Sequence, residues 1–196
     1  LELVEGEIIR DARPDDYALF KLPVEWHGID AERELWEDQF LGYSVDPDDR
    51  YVLQEYTGIL LHTNEYPFKK ALMMLGGGNN GKGVYEDVVT AMLGSENVMH
   101  DDLADMSSNR FGLQRLRYRV ANINSDIEGG TIDQTALFKK LTGRDRIRVE
   151  PKYERAFSIR NPAKLVFAAN RVPDVDDAQL PFFARWLFVE FPNQFT

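Results

Sequence analysis

The sequence contains no cysteine, which excludes disulfides, thiolate-held zinc and a cysteine nucleophile. Its histidines are only His27, His62 and His100, scattered with no metal-ligand spacing. No apolar run approaches the roughly 20 residues of a membrane-spanning helix, and no secretory signal is apparent. A protein of the cytoplasm with no membrane partner is expected. The chain begins at Leu1 rather than methionine, so a piece of something longer is expected. Its 196 residues suffice for one α/β core with a small appended unit.

Basic residues are in the minority, and the formal net charge is −10. That excess of acid speaks against a nucleic-acid partner until the distribution is considered. Residues 1–65 carry a net −12, whereas residues 110–164 carry +7. An acidic front beside a basic middle suggests a local surface for a polyanion on an otherwise acidic body.

The rest of the chain is organised around one stretch. Ala71-Leu72-Met73-Met74-Leu75 has the apolar character of a buried strand. It is followed by Gly76-Gly77-Gly78-Asn79-Asn80-Gly81-Lys82-Gly83-Val84. The spacing from Gly76 to Gly81-Lys82 is GxxxxGK, the phosphate-binding loop. Glycines allow positive φ, so successive N–H groups can turn inward onto a polyphosphate. The next helix adds the partial positive charge of its N-terminus, and the lysine reaches the β and γ phosphates. Val84, Val88, Val89, Met92 and Leu93 recur at helical spacing up to Gly94, which can end that helix. One element is missing: Gly83 stands where Ser or Thr ordinarily ligates Mg²⁺.

Before this stretch, Asp30 is positioned to cap a helix running to about Leu41, and the Asp46-Pro47-Asp48-Asp49 break starts a second. Residues 1–65 therefore read as a mainly helical lead-in unit, with a linker near 62–67 and the core from 66 to 196. Within the core, strands alternate with helices, the pattern of a parallel sheet with crossover helices. Residues 97–105 read as a loop and 120–124 as a second strand, and Asp133 as the cap of a helix that stops at Gly143. Ile147 and Val149, then Phe157 and Ile159, alternate with polar residues as an antiparallel hairpin does. Further strands are expected at 165–169 and 186–189. The fold class is α/β: a P-loop parallel sheet flanked by helices, with a helical lead-in and a hairpin before the third core strand.

Phosphate-bond hydrolysis needs an acid at the carboxyl end of a neighbouring strand. The second strand ends in Ser125-Asp126-Ile127-Glu128, making Asp126 the metal candidate and Glu128 a candidate base. Asn170, closing the next strand, offers an amide to orient the attacking water, and Arg185 precedes the last strand. At the hairpin tip, Lys152, Tyr153 and Arg155 combine cations with an aromatic face, which suits a nucleic-acid strand; Lys139 on the preceding helix extends the patch.

In this order, the elements resemble the superfamily 3 helicases, in particular the helicase part of virus and plasmid primase–helicases, most of all archaeal virus or plasmid members. The resemblance extends over about residues 33–196 and includes the phosphate loop, Ala121-Asn122-Ile123 through Asp126, and Phe138-Lys139-Lys140-Leu141-Thr142-Gly143. It continues through Lys152-Tyr153, Phe167-Ala168-Ala169-Asn170-Arg171-Val172-Pro173 and Phe182-Phe183-Ala184-Arg185-Trp186. It implies an AAA+-like ATPase that takes ATP and Mg²⁺, forms a homo-oligomeric ring, usually a hexamer, around single-stranded DNA, and unwinds forked duplex DNA 3′→5′ in replication. It implies Lys82 as Walker A lysine, Asp126 and Glu128 as Walker B acids, Asn170 as sensor and Arg185 as a finger acting in trans. Lys152 and Tyr153 would contact DNA in the channel. A primase region is expected elsewhere on the full-length chain, and the site of action is the host cytoplasm. Ala184 departs from the family pattern, in which a second arginine is common. Two other readings of the loop are a small-substrate kinase and a nucleotide-binding DNA clamp that barely hydrolyses.

Overall fold

The computed structural model describes residues 15, 19–28, 30–61, 68–108, 112–125, 127, 132–151, 153–175 and 180–195. A wide π-helical segment, Leu35–Leu41, runs into a short turn, Gly42–Ser44. The expected start at Asp30 is not used: the helix begins only at Leu35, where the Trp36 and Phe40 rings meet at 5.0 Å, tilted by 32°. Helix α1, Pro47–Leu60, starts with its proline in the first turn, where a missing N–H costs nothing.

Strand β1 is Ala71–Leu75 and helix α2 is Lys82–Leu93, closed by Gly94 at φ +88°. The expected loop after it contains a two-residue strand, β2 (Val98–Met99), and a helix, α3 (Leu103–Ser108). A strand of two residues is too short for a period to register in the sequence. Leu113–Tyr118 forms a 3₁₀ segment before β3, Ala121–Asn124. Helix α4 is Thr135–Thr142, so Asp133 lies outside it and Gln134 takes the cap position. The hairpin strands are β4, Ile147–Val149, and β5, Phe157–Ile159. Strand β6 is Lys164–Ala169; a short α5, Leu180–Phe183, then leads to β7, Trp186–Glu190.

The main sheet has five strands, all parallel, in the order β2-β3-β6-β1-β7, and β4 and β5 form a separate antiparallel pair. This is the expected architecture, with the hairpin inserted between β3 and β6 in the chain. Parallel strands are covered on both faces and so read as continuous apolar runs. Every residue of β1 and β6 is buried. Leu72, Met74, Val166 and Ala168 face a core shared with Leu53, Tyr56 and Leu60 of α1 and Tyr85, Val89 and Leu93 of α2. Met73, Leu165, Phe167 and Trp186 face the opposite core, with Phe138 and Leu141 of α4 and Ile147 of the hairpin. There the Trp186 and Phe138 rings stack at 4.2 Å.

The polar strand β3 is explained by its edge. Asn122 is fully buried, and its side chain both accepts from Asp101 N (3.1 Å) and donates to Asp101 O (2.9 Å). The amide thus extends the ladder past the point where β2 stops.

Candidate nucleotide-binding and nucleic-acid-binding site

After β1 the chain leaves by α2 on one face of the sheet, and after β6, the neighbouring strand, it leaves by α5 on the other, so the connections diverge between these two strands. Ligands of open α/β sheets bind outside the strand carboxyl ends at such a point. An open cleft of about 410 Å³ lies there, lined by Gly78, Asn79, Asn80, Gly81, Lys82, Gly83, Val84, Glu86, Ser125, Ala169 and Asn170.

The loop's backbone needs its glycines at two positions. Gly76 has φ +148°, and a Cβ there would lie 2.4 Å from Asn80 Nδ2 and 2.5 Å from Phe191 O. Gly81 has φ +97° immediately before α2; a Cβ there would press on Ser44 Oγ at 3.0 Å and Phe40 Cε2 at 3.3 Å. The helical lead-in thus backs the loop. Gly77 and Gly78 have no such neighbours, so the face toward the cleft is open. Lys82 heads α2 and its Nζ donates to the carbonyls of Gly76 and Gly77 and to Asn80 Oδ1, the last at 3.2 Å. The first N–H groups of a helix have no intrahelical acceptor. Together with the ammonium they give the cleft the donors an anion requires.

Asn170 follows the last residue of β6, whose Ala169 is in register with Leu75, so Asn170 stands beside the start of the loop. It is exposed and lines the cleft. Asp126 and Glu128 lie outside the described residues, while Ser125, just past β3, lines the cleft. Arg185 is elsewhere. It sits at the amino end of β7, its carbonyl accepting from Ala71 N at 2.7 Å and its Nη1 donating to Pro181 O at 2.6 Å. The whole length of β1 separates it from the loop of its own chain.

One residue of the cleft went unremarked in the sequence: Glu86. It is buried at 6% exposure, accepts a hydrogen bond from Ser125, and leaves Oε1 without a hydrogen-bond partner among the described residues. Burial pushes its carboxyl above the usual carboxylate range, with the Ser125 hydrogen bond acting against the rise. Its position three residues after Gly83, between buried Tyr85 and Val89, was the available signal. The expected apolar stripe of α2 is also corrected. Val84 and Val88 are exposed at 52% and 42%, because the turns of α2 that meet the sheet are those of Tyr85, Val89 and Leu93.

The hairpin is paired as Ile147↔Ile159, Arg148↔Ser158 and Val149↔Phe157. Ile147, Val149 and Ile159 point into the protein, leaving Arg146, Arg148 and Arg160 exposed on the outer side, none of which was singled out in the sequence. Tyr153, at φ +67° in the turn, is 93% exposed, and Arg155 is exposed beside it. Lys152 lies outside the described residues, and Lys139 is half-buried on α4. Arg117 lies 5.1 Å from the Phe157 ring and ties the 3₁₀ segment to the hairpin base.

Residues 74–185 match the family model of DUF5906, described as a family of unknown function. The chain belongs to that family. The fold of this DUF5906 protein is similar to that of the NrS-1 C-terminal region in its A-form apo structure. The TM-score is 0.59 at 15% identity, over 79% of this chain and 36% of that one. It is also similar to JCV helicase bound to a thiazolopyridinyl-phenoxyphenyl acetamide, with a TM-score of 0.52 at 14% identity, over 83% of this chain and 46% of that one. The DUF5906 chain thus spans less than half the length of either. At such identities the likeness speaks for the fold.

Proposed function

We propose that this chain is the ATPase core of a DNA helicase of the superfamily 3 type, belonging to a larger replication protein of a virus or plasmid. The carrying observation is the cleft itself: Lys82 at the head of α2, the Gly76–Gly81 turn and Asn170 meet at the carboxyl ends of β1 and β6. Likeness in fold to a protein named as a helicase supports the choice among nucleotide-using activities.

The residues present fit a magnesium nucleotide. The turn offers backbone donors and an ammonium to phosphates, and Glu86 contributes a carboxylate oxygen with no hydrogen-bond partner among the described residues. Magnesium, when bound, would neutralise charge on the β and γ phosphates. Lys82 holds the phosphates, Asn170 orients the attacking water, and Asp126 and Glu128 supply the acids. Arg185, remote from its own cleft, serves the neighbouring subunit's site as a finger in a ring that is hexameric in this reading. The hairpin, with Lys152, Tyr153 and Arg155 at its tip and Lys139 behind it, grips one strand of DNA in the channel. The exposed Arg146, Arg148 and Arg160 extend that surface. Movement of the hairpins with each hydrolysis cycle draws the strand through 3′→5′.

The test is the ATPase rate with and without single-stranded DNA, across protein concentration. Stimulation by DNA, with specific activity rising as subunits associate, is expected. Hydrolysis unaffected by both would point to a small-substrate kinase. Nucleotide and DNA binding without hydrolysis would point to a clamp, the reading that Gly83 favours.

A further inference from the structure

The residue after the loop lysine is Gly83, and a Cβ built there would meet nothing within 4 Å. The position where phosphate loops ordinarily present a hydroxyl to magnesium is therefore open space. One turn along α2, on the same helical face, is Glu86. It lines the same cleft, and more than nine-tenths of its surface is buried. Ser125 donates to its carboxylate, yet Oε1 has no hydrogen-bond partner among the described residues.

That arrangement is costly unless something positive completes it. A buried carboxylate oxygen without a partner loses its hydration. Lining a cleft that offers donors to phosphate, it would also lie near like charge in a poorly screened setting once a phosphate enters. The charges of Lys82 and His100 favour the Glu86 carboxylate from nearby. The Lys82 ammonium nevertheless donates to the carbonyls of Gly76 and Gly77 and to Asn80, while Glu86 Oε1 keeps no hydrogen-bond partner among the described residues. A divalent cation between carboxylate and phosphate resolves both problems, and magnesium is commonly held by one or two carboxylates together with phosphate oxygens.

Resting on the nucleotide reading above, we infer that Glu86 is the ligand α2 offers to the nucleotide's magnesium, in place of the hydroxyl Gly83 lacks. The head of the helix thereby carries its metal-binding group one turn further in, and Ser125 holds the carboxylate in position.

The experiment titrates Mn²⁺ by electron paramagnetic resonance against the full chain saturated with ADP, and measures ADP binding in EDTA by calorimetry. Glu86→Gln is expected to weaken Mn²⁺ in the ADP complex by about 10- to 100-fold. Binding of ADP in EDTA should stay equal or become tighter, because a negative charge beside the phosphates is gone. Adding Gly83→Ser to Glu86→Gln should restore part of the Mn²⁺ affinity. Glu86→Asp, which keeps the charge on a shorter arm, should fall between wild type and Glu86→Gln, and it serves as the readout if the glutamine variant does not fold. Unchanged Mn²⁺ affinity in both variants overturns the inference while leaving the nucleotide site standing. An equal loss in EDTA overturns it as well, by making Glu86 a positioning residue for the loop. Wild-type protein that binds no ADP with or without Mn²⁺ removes the nucleotide reading, and this inference with it.

Discussion

Lys82 donates from Nζ to Asn80 Oδ1 at 3.2 Å and reaches the carbonyls of Gly76 and Gly77 as well, so the loop lysine lies against the loop. A phosphate entering the cleft exchanges these neutral acceptors for charged ones, which bind an ammonium roughly twice as strongly. Lys82→Ala is therefore expected to lower ATP affinity at least tenfold and remove hydrolysis. Equilibrium binding of a fluorescent nucleotide and a steady-state ATPase assay check both; near-normal turnover would remove the phosphate-loop assignment.

Gly76 is fixed by what surrounds it. An added Cβ would fall 2.5 Å from Phe191 O and 2.4 Å from Asn80 Nδ2, at a φ that side chains rarely adopt. The carbonyl belongs to backbone tied to β1, since Phe191 N donates to Leu75 O at 2.7 Å, and it cannot simply rotate away. Gly76→Ala is expected to cost about 1–3 kcal/mol of stability and to impair nucleotide binding more than Gly77→Ala, where nothing lies within 4 Å. Urea unfolding of the two variants, side by side, gives the comparison.

These two residues also mark where the sequence speaks clearly. An apolar run entering a glycine turn with one lysine allows few structures, and β1, the loop and α2 fall where the pattern puts them. The parallel sheet was legible for the same reason: strands covered on both faces need unbroken apolar runs. What stayed hidden depends on partners distant in sequence. Asn122 looks too polar for a buried strand until Asp101 is beside it. Glu86, followed by Asp87, carries no mark of burial in the local sequence, and only the fold closes over it. Asp30 and Asp133 are both good capping residues, but packing rather than capping decides where those helices begin.

Tyr85 predicts a pH effect away from the cleft. The ring is fully buried, Trp36 stacks on it at 6.0 Å, and its hydroxyl is 2.9 Å from Thr57 Oγ1. Burial pushes the phenol well above its ordinary value of 10.0, the Thr57 hydrogen bond opposing part of the rise. The folded protein holds this proton more tightly than the unfolded chain does. The contribution is therefore complete below pH 10.0 and is lost as pH rises from there toward the folded value. Tyr85→Phe should cost about 1 kcal/mol at pH 7 through the lost hydrogen bond. That deficit should shrink above pH 10 as wild type weakens; a deficit constant in pH-resolved unfolding would contradict the buried phenol.

The hairpin should separate DNA binding from nucleotide chemistry. Tyr153 is 93% exposed, and Arg148 is exposed on the outer face, 3.5 Å from Glu150. Base–aromatic stacking is worth about 1–3 kcal/mol per base, so Tyr153→Ala should weaken single-stranded DNA binding by about tenfold without altering DNA-free ATPase. Arg148→Ala should reduce affinity and flatten its salt dependence, as loss of a phosphate contact does. Fluorescence anisotropy with a labelled oligonucleotide at several salt concentrations distinguishes the two roles. Unchanged affinity in both variants would leave the hairpin without a part in DNA binding.

Arg185 tests assembly. Its place at the amino end of β7 keeps it from the cleft of its own subunit by the length of β1. A finger acting on the neighbouring subunit makes two inactive chains complementary. Arg185→Ala mixed with Lys82→Ala places an intact cleft next to an intact arginine at some interfaces, so the mixture should hydrolyse ATP where neither variant alone does. Arginine fingers are worth about 10³–10⁵ in rate, so even a small fraction of repaired interfaces rises above the background. The recovered activity should also grow with total protein concentration, since it requires subunits to meet. If the mixture stays as inactive as its components while both variants still associate, Arg185 acts within its own chain or not at all, because an arginine bound to Pro181 O for packing alone has nothing to offer a neighbour.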